Sequence, residues 1–197
     1  MGRDAKILPC TSIFARDRFG LMPQPGEFVV INCMENGGHY TFGQAIDGAR
    51  WRRQFQQIAQ LVRKMGRVVV ACHSKEEERL AQSLVPDLER FLVPNDHLEF
   101  MKFYARARFG VVNRVHAGFM MASFGKPVVV IGNDSRARMI ESLSLQSHFV
   151  GDIVSSSIED LVESVNARER SYSDEIDAIR SKSRKEYLGV LETTLLH

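Results

Sequence analysis

Short apolar runs without in/out alternation recur along the chain, and each is followed by a segment with helical spacing. Phe28-Val29-Val30-Ile31 is the first, and the stripe Trp51, Phe55, Ile58, Val62 and Met65 predicts a helix over 49–65 behind it. Val68-Val69-Val70-Ala71 precedes a helix predicted over 75–84, where Ser74 and Glu77 have the spacing of a capping box. Arg90-Phe91-Leu92-Val93 leads to a helix over 96–107, opened by Asp96 with Glu99 behind it. Phe109-Gly110-Val111-Val112 enters a helix over 115–124, and Pro127-Val128-Val129-Val130-Ile131 follows the Gly125-Lys126 stop signal. β-branched runs separated by helices predict a parallel sheet covered on both faces. The expected fold is a doubly wound, Rossmann-like α/β domain of about five strands.

Beyond Asp134 a short helix is predicted to about 143, and Ser156 with Glu159 opens another to about 166. A longer amphipathic helix over 173–195 carries Ile176, Ile179, Tyr187, Val190 and Leu191 near one side. The first 26 residues, punctuated by Pro9, Gly20, Pro23, Pro25 and Gly26, show no sustained period. Residues 1–26 therefore read as a connector or the remnant of a preceding domain, 27–170 as the α/β domain, and 171–197 as a C-terminal amphipathic helix packed on it.

Composition narrows the class. Of 197 residues, 44% are hydrophobic and 25% charged, which suits an ordinary globular protein rather than a disordered one. The formal net charge of +2 gives no long-range pull on nucleic acid, and no nucleic-acid partner is expected. Arg50, Arg52, Arg53, Arg63, Lys64 and Arg67 cluster on the polar side of the first helix, as a solvated face, a contact for an anionic partner or a docking face for another domain. Cys10, Cys33 and Cys72 form an odd set without a signal-peptide pattern, so reduced thiols and a cytoplasmic location are expected. No apolar run approaches the roughly 20 residues of a transmembrane segment.

In an open parallel sheet, ligands bind beyond the carboxyl ends of the strands. The loop from Asn32 to Gly48, with Glu35, Gly37, Gly38 and His39, is long for such a connection. It holds no GxGxxG or phosphate-loop lysine, so a nicotinamide enzyme is disfavoured and no cofactor is expected. Cys33, Cys72, His73 and His39 match no zinc spacing, and no metal is expected. The most informative stretch is Asn113-Arg114-Val115-His116-Ala117-Gly118, which places an arginine and a histidine where a buried strand becomes an apolar helix. Arginine offers a permanently charged fork to carboxylate or phosphate, and histidine carries a proton near neutral pH. Two readings stand open: an anion site, or an Arg114 paired with an acidic neighbour and a His116 capping the helix. Asp134 and Arg136 sit at the next strand end, as an anion contact or as a capped surface helix. No distinct acidic pair for a ribose is present, only Asp134 and Glu141, which makes a nucleotide-binding donor domain the weaker enzyme reading.

The segment from Phe109 to Asp134, with Arg114, His116, Ala117, Gly125 and Pro127 in an Arg-x-His-Ala, apolar helix, Gly-x-Pro, strand order, resembles the polysaccharide pyruvyl transferases. The likeness spans roughly residues 7 to 145 and includes Leu8-Pro9-Cys10-Thr11-Ser12-Ile13-Phe14. It implies the C-terminal half of a two-domain B-type glycosyltransferase fold, whose first domain would supply much of the acceptor site. It also implies transfer of a pyruvyl group from phosphoenolpyruvate to two hydroxyls of a saccharide or lipid-linked saccharide, as a ketal. His116 would then be the general acid, and Arg114, with Asn113, Asp134 and Arg136, would bind substrate. A preceding first domain or a second copy of the chain would be the protein partner. The alternatives are a glycosyltransferase donor-binding domain and a non-catalytic binding or assembly module.

Overall fold

The computed structural model describes residues 8–34, 46–154 and 157–195. Among these residues six strands form one sheet: β1 (Phe28–Ile31), β2 (Val68–Cys72), β3 (Glu89–Leu92), β4 (Ala107–Val112), β5 (Val128–Gly132) and β6 (Gln146–Phe149). Their spatial order is β3-β2-β1-β4-β5-β6, and every neighbouring pair is parallel. This is the doubly wound order in which the chain leaves β1 in one direction and returns to β4 beside it. The crevice between β1 and β4 is therefore the topological switch point.

The five apolar runs are all strands, and β6 is the one that periodicity did not show. Gln146-Ser147-His148-Phe149 pairs only with β5, at the sheet edge, and none of its side chains is fully buried. A polar edge strand carries no apolar run. The central strands β1, β2 and β5 are buried along their whole length, because helices cover both faces.

Between strands run α2 (Gly48–Arg63), α3 (Lys75–Leu84), α4 (His97–Ala105) and α5 (Val115–Ser123), followed after β5 by a 3-10 helix (Ser135–Leu143). The chain ends with α6 (Ile158–Ala167) and α7 (Tyr172–Leu195). One core layer holds Phe28, Phe103, Tyr104, Phe119 and Tyr172, and the other holds Trp51, Phe55, Ile58, Phe109 and Val162. Gly125 closes α5 with a φ of +71°, and a Cβ there would stand 2.9 Å from Ser173 Oγ, so the stop signal also makes room for α7. Ser156 lies outside the described residues; α6 starts after Ser157, which makes no side-chain cap.

Residues 8–27 pack into the domain, unlike a simple connector. They form a 3-10 turn (Thr11–Phe14) and α1 (Ala15–Arg18), with Ile13 fully buried in the core. Arg180 of α7, itself buried, donates to the Ile13 carbonyl at 3.0 Å and to Asp17 at 2.5 Å. Arg184 reaches the other Asp17 oxygen at 2.5 Å, and the Tyr187 hydroxyl donates to the Pro9 carbonyl. Replacing Arg180 with Met keeps the stem but strands the Ile13 carbonyl, so a loss of about 1–3 kcal/mol is expected in a denaturant melt.

The expected apolar stripe of α7 divides in two. Ile176 is buried and Ile179 and Tyr187 are half-buried, whereas Val190 and Leu191 are 36% and 54% exposed. A helix of 24 residues is ~36 Å long and outruns the face that it covers. The basic cluster of α2 serves the fold in part: Arg50 donates to the Ile153 carbonyl, Arg63 pairs with Asp87 at 2.6 Å and Arg67 with Glu89 at 2.7 Å.

Candidate functional site

Three adjacent strands are each followed directly by asparagine: Asn32 after β1, Asn113 after β4 and Asn133 after β5. All three are buried, at 2%, 3% and 4% exposure. Asn32 Oδ1 accepts from the backbone N–H of Asn113 and from that of Arg114 at 3.3 Å. Asn113 Oδ1 accepts from Met34 N–H at 3.0 Å, while its Nδ2 donates to the Ile131 carbonyl and to Asn133 Oδ1 at 2.7 Å. Asn133 Nδ2 donates to the Met34 carbonyl at 2.9 Å. The network locks the three strand ends together. Both amide hydrogens of Asn113, read from the sequence as a substrate contact, are engaged by protein acceptors.

Arg114 stands at the N-cap of α5. Side chains cap the neighbouring helices: Asp47 for α2, Ser74 for α3, Asp96 for α4 and Asp134 for the 3-10 helix. Arg114 makes no side-chain cap bond to α5, whose first N–H groups keep their preference for an anion. Of its nine residues every side chain but one is buried, and the exception is His116, which is exposed.

Arg114 also has an acidic neighbour. Glu77 on α3, only 6% exposed, accepts at Oε1 from Arg114 Nε at 2.7 Å and from Nη2. Its Oε2 accepts from the His73 backbone N–H at 2.8 Å and lies 3.4 Å from His73 Nδ1. His73 Nε2 is 3.1 Å from the buried Tyr104 hydroxyl. Burial works to raise the Glu77 pKa, but hydrogen bonds from His73 and Arg114 and the Arg114 charge outweigh it, leaving the carboxyl below its ordinary 4.5. The sequence placed Glu77 in a capping box, and half of that holds: Ser74 Oγ accepts from Glu77 N–H at 3.2 Å. The Glu77 carboxylate turns outward from the box to the residue before Ser74 and to Arg114. The Arg114 side chain stays 37% exposed, so one flank is held and the other faces solvent. Both readings of Arg114 are therefore compatible in one geometry.

Asp134 and Arg136 are brought together in a tight pair. The Asp134 carboxylate, 7% exposed, accepts from Arg136 N–H at 2.9 Å and from Nη2 at 2.5 Å, and the arginine hydrogen bonds hold its pKa below the ordinary 3.8. Beyond this pair opens a pocket of about 380 Å³ between the 3-10 helix, β6 and the following loop, walled by Arg138, Glu141, His148, Phe149 and Asp152 as well as Asp134. Burial lowers the His148 pKa against the opposing pull of Glu141 and Asp152, and its Nε2 has no partner among the described residues. Asp134 and Glu141, the two acidic residues singled out in the sequence, share this wall.

Glu35, Gly37, Gly38 and His39 lie outside the described residues. Cys33 and Cys72 are buried, and burial together with the Glu77 charge pushes the Cys72 thiol up to about 12. Among the described residues no three His, Cys, Asp or Glu side chains gather as metal ligands. No described helix is long and apolar enough to cross a membrane.

No family model and no curated protein matches the sequence. Solved structures do. The chain is similar to MnaA of S. aureus in a structure with UDP, at 16% identity and a TM-score of 0.53 over 86% of its length. It is similar to the glycotransferase of kitacinnamycin, at 13% identity and a TM-score of 0.52 over 94%. The UDP-GlcNAc 2-epimerase of Neisseria meningitidis bound to UDP-GlcNAc matches at 12% identity and 0.52 over 92%. The chain spans 43%, 44% and 47% of those three proteins. At such identities the likeness is one of fold, and that fold is the Rossmann-like half of a two-domain, B-type glycosyltransferase-like protein.

Proposed function

We propose that the chain is the donor-binding half of a transferase that takes phosphoenolpyruvate and forms a pyruvyl ketal on a saccharide or lipid-linked saccharide. The observation that carries this reading is the amino end of α5, where His116 is the one exposed side chain of a buried helix and Arg114, held by Glu77 on one flank and open to solvent on the other, stands at the N-cap. The sequence resemblance assigns those same positions to acid and anion binder. In this reading Arg114 and the α5 N–H groups hold the donor's carboxylate or phosphate, and His116 delivers a proton to the methylene carbon. One acceptor hydroxyl adds to the adjacent carbon, phosphate then departs with its bonding electrons, and the second hydroxyl closes the ketal. The two hydroxyl protons return to His116 and to phosphate. The acceptor site comes from a partner half, supplied by a first domain or a second copy.

A specific observation favours a second reading, a nucleotide-sugar donor domain. The pocket walled by Asp134 and Glu141 could take the hydroxyls of a ribose, and two of the structural neighbours hold UDP or UDP-GlcNAc. Calorimetric titration of the chain with phosphoenolpyruvate and, separately, with UDP distinguishes them. Under the first reading phosphoenolpyruvate binds, and Arg114→Ala weakens it about ten- to a hundredfold, or roughly 1.5–3 kcal/mol, with His116→Ala also weaker than wild type. Tight UDP binding that Glu141→Ala abolishes, with no uptake of phosphoenolpyruvate, would replace it by the second.

A further inference from the structure

The three switch-point asparagines are not equivalent. Asn113 and Asn133 find protein acceptors for their Nδ2 groups, whereas Asn32 Nδ2 is buried and has no partner among the described residues. Buried amide donors are nearly always paired, so one left over marks a place where something else accepts. The Asn32 amide cannot be turned to relieve this. Its Oδ1 accepts the N–H groups of Asn113 and Arg114, and a flip would set an NH2 group against two donors.

The position is as informative as the orientation. Those two N–H groups belong to the turn that leads into α5, so the Asn32 carboxamide bridges β1 and β4 in the crevice at the amino end of that helix. We propose that Asn32 is a ligand-binding residue of this site, its Nδ2 donating to an oxygen of a carboxylate or phosphate seated at the α5 N-terminus beside Arg114. The inference rests on the anion-site reading above and adds a residue to it. The ligand class follows from the inventory: Asn32 Nδ2, the α5 N–H groups and the open flank of Arg114 are all donors. The Glu77 carboxylate, which faces Arg114, is taken up by Arg114 and His73. Among the described residues the free groups of the site are donors alone, which disfavours a cation and favours an acceptor-only group over a neutral hydroxyl.

Asn32→Asp separates the two ends of the side chain. The aspartate keeps an oxygen for the N–H groups of Asn113 and Arg114 and replaces the NH2 donor with an acceptor. The direct readout is the Asn32 side-chain amide in proton–nitrogen NMR of the wild-type chain, titrated with inorganic phosphate, pyruvate, phosphoenolpyruvate and UDP. The expected result is that the Asn32 amide protons move with phosphoenolpyruvate and phosphate, and that Asn32→Asp binds phosphoenolpyruvate about tenfold more weakly or worse while melting near the wild type. A shift with pyruvate as well assigns the contact to the carboxylate. If phosphoenolpyruvate binds and Arg114→Ala weakens it, yet the Asn32 amide stays still and Asn32→Asp binds as wild type, the inference falls alone. If phosphate and UDP move the amide and phosphoenolpyruvate does not, the oxyanion contact stands and the pyruvyl reading falls. If none of the four binds, both fall.

Discussion

Phe119→Ala should lower stability by about 3–5 kcal/mol, the cost of removing a fully enclosed aromatic ring from a core that closes only partly around the gap. Phe119 is 1% exposed on α5, a helix that packs against the N-terminal 3-10 turn, β4, β5, the second 3-10 helix and α4. With so many elements fixed around it, the surroundings cannot all move inward. For a chain of this size the loss corresponds to a melting temperature lower by ~6–20 °C. A thermal melt followed by circular dichroism checks it, with Phe19→Ala as the comparison. Phe19 is 43% exposed, its ring centroid 4.9 Å from that of His97, so its loss should cost under about 1 kcal/mol. Equal losses in the two variants would mean that α5 is not the helix around which the core is built.

Glu77→Ala should cost about 2–3 kcal/mol. Breaking a fully buried ion pair from one side costs about 3–5 kcal/mol, but Arg114 is 37% exposed and regains water when its partner goes. The same residue shapes the acid limb of stability. Glu77 titrates below its ordinary 4.5 in the folded chain, so its contribution is fully present above about that pH and is lost as the pH falls through the lower folded value. Asp17 and Asp134, also held below 3.8, act in the same direction. The informative quantity is therefore the difference between wild type and Glu77→Gln, measured as melting temperature from neutral pH to about pH 3. That difference should shrink as Glu77 takes up its proton. A constant difference across the range would show that the carboxylate charge carries none of the effect.

The strands and helices were legible where burial on both sides leaves a continuous apolar run, as in β1, β2 and β5. β6 escaped because an edge strand with Gln146, Ser147 and His148 has nothing periodic to show, and the N-terminal segment escaped because Ile13 docks through a single turn. Arg114 and His116 were legible as letters in a motif. Glu77 was visible only as a local cap, since its bond to Arg114 joins positions 37 residues apart and leaves no mark on either neighbourhood. The asparagine network did leave a trace, an Asn at or just past the end of three apolar runs, yet its meaning required the sheet order that makes β1, β4 and β5 adjacent.

The clasp between Arg180 and the Ile13–Asp17 turn joins residues 167 and 163 positions apart. Within this domain the turn is made before α7, so the Ile13 carbonyl and the Asp17 carboxylate meet their guanidinium only after α7 has been added. Until then Ile13 has α5 to rest on but no latch. Because a contact of such separation gains energy only after its loop has closed, it contributes little to the folding rate and mainly slows unfolding. α7 thus works as a bolt across the domain, holding a turn that lies far from it in sequence.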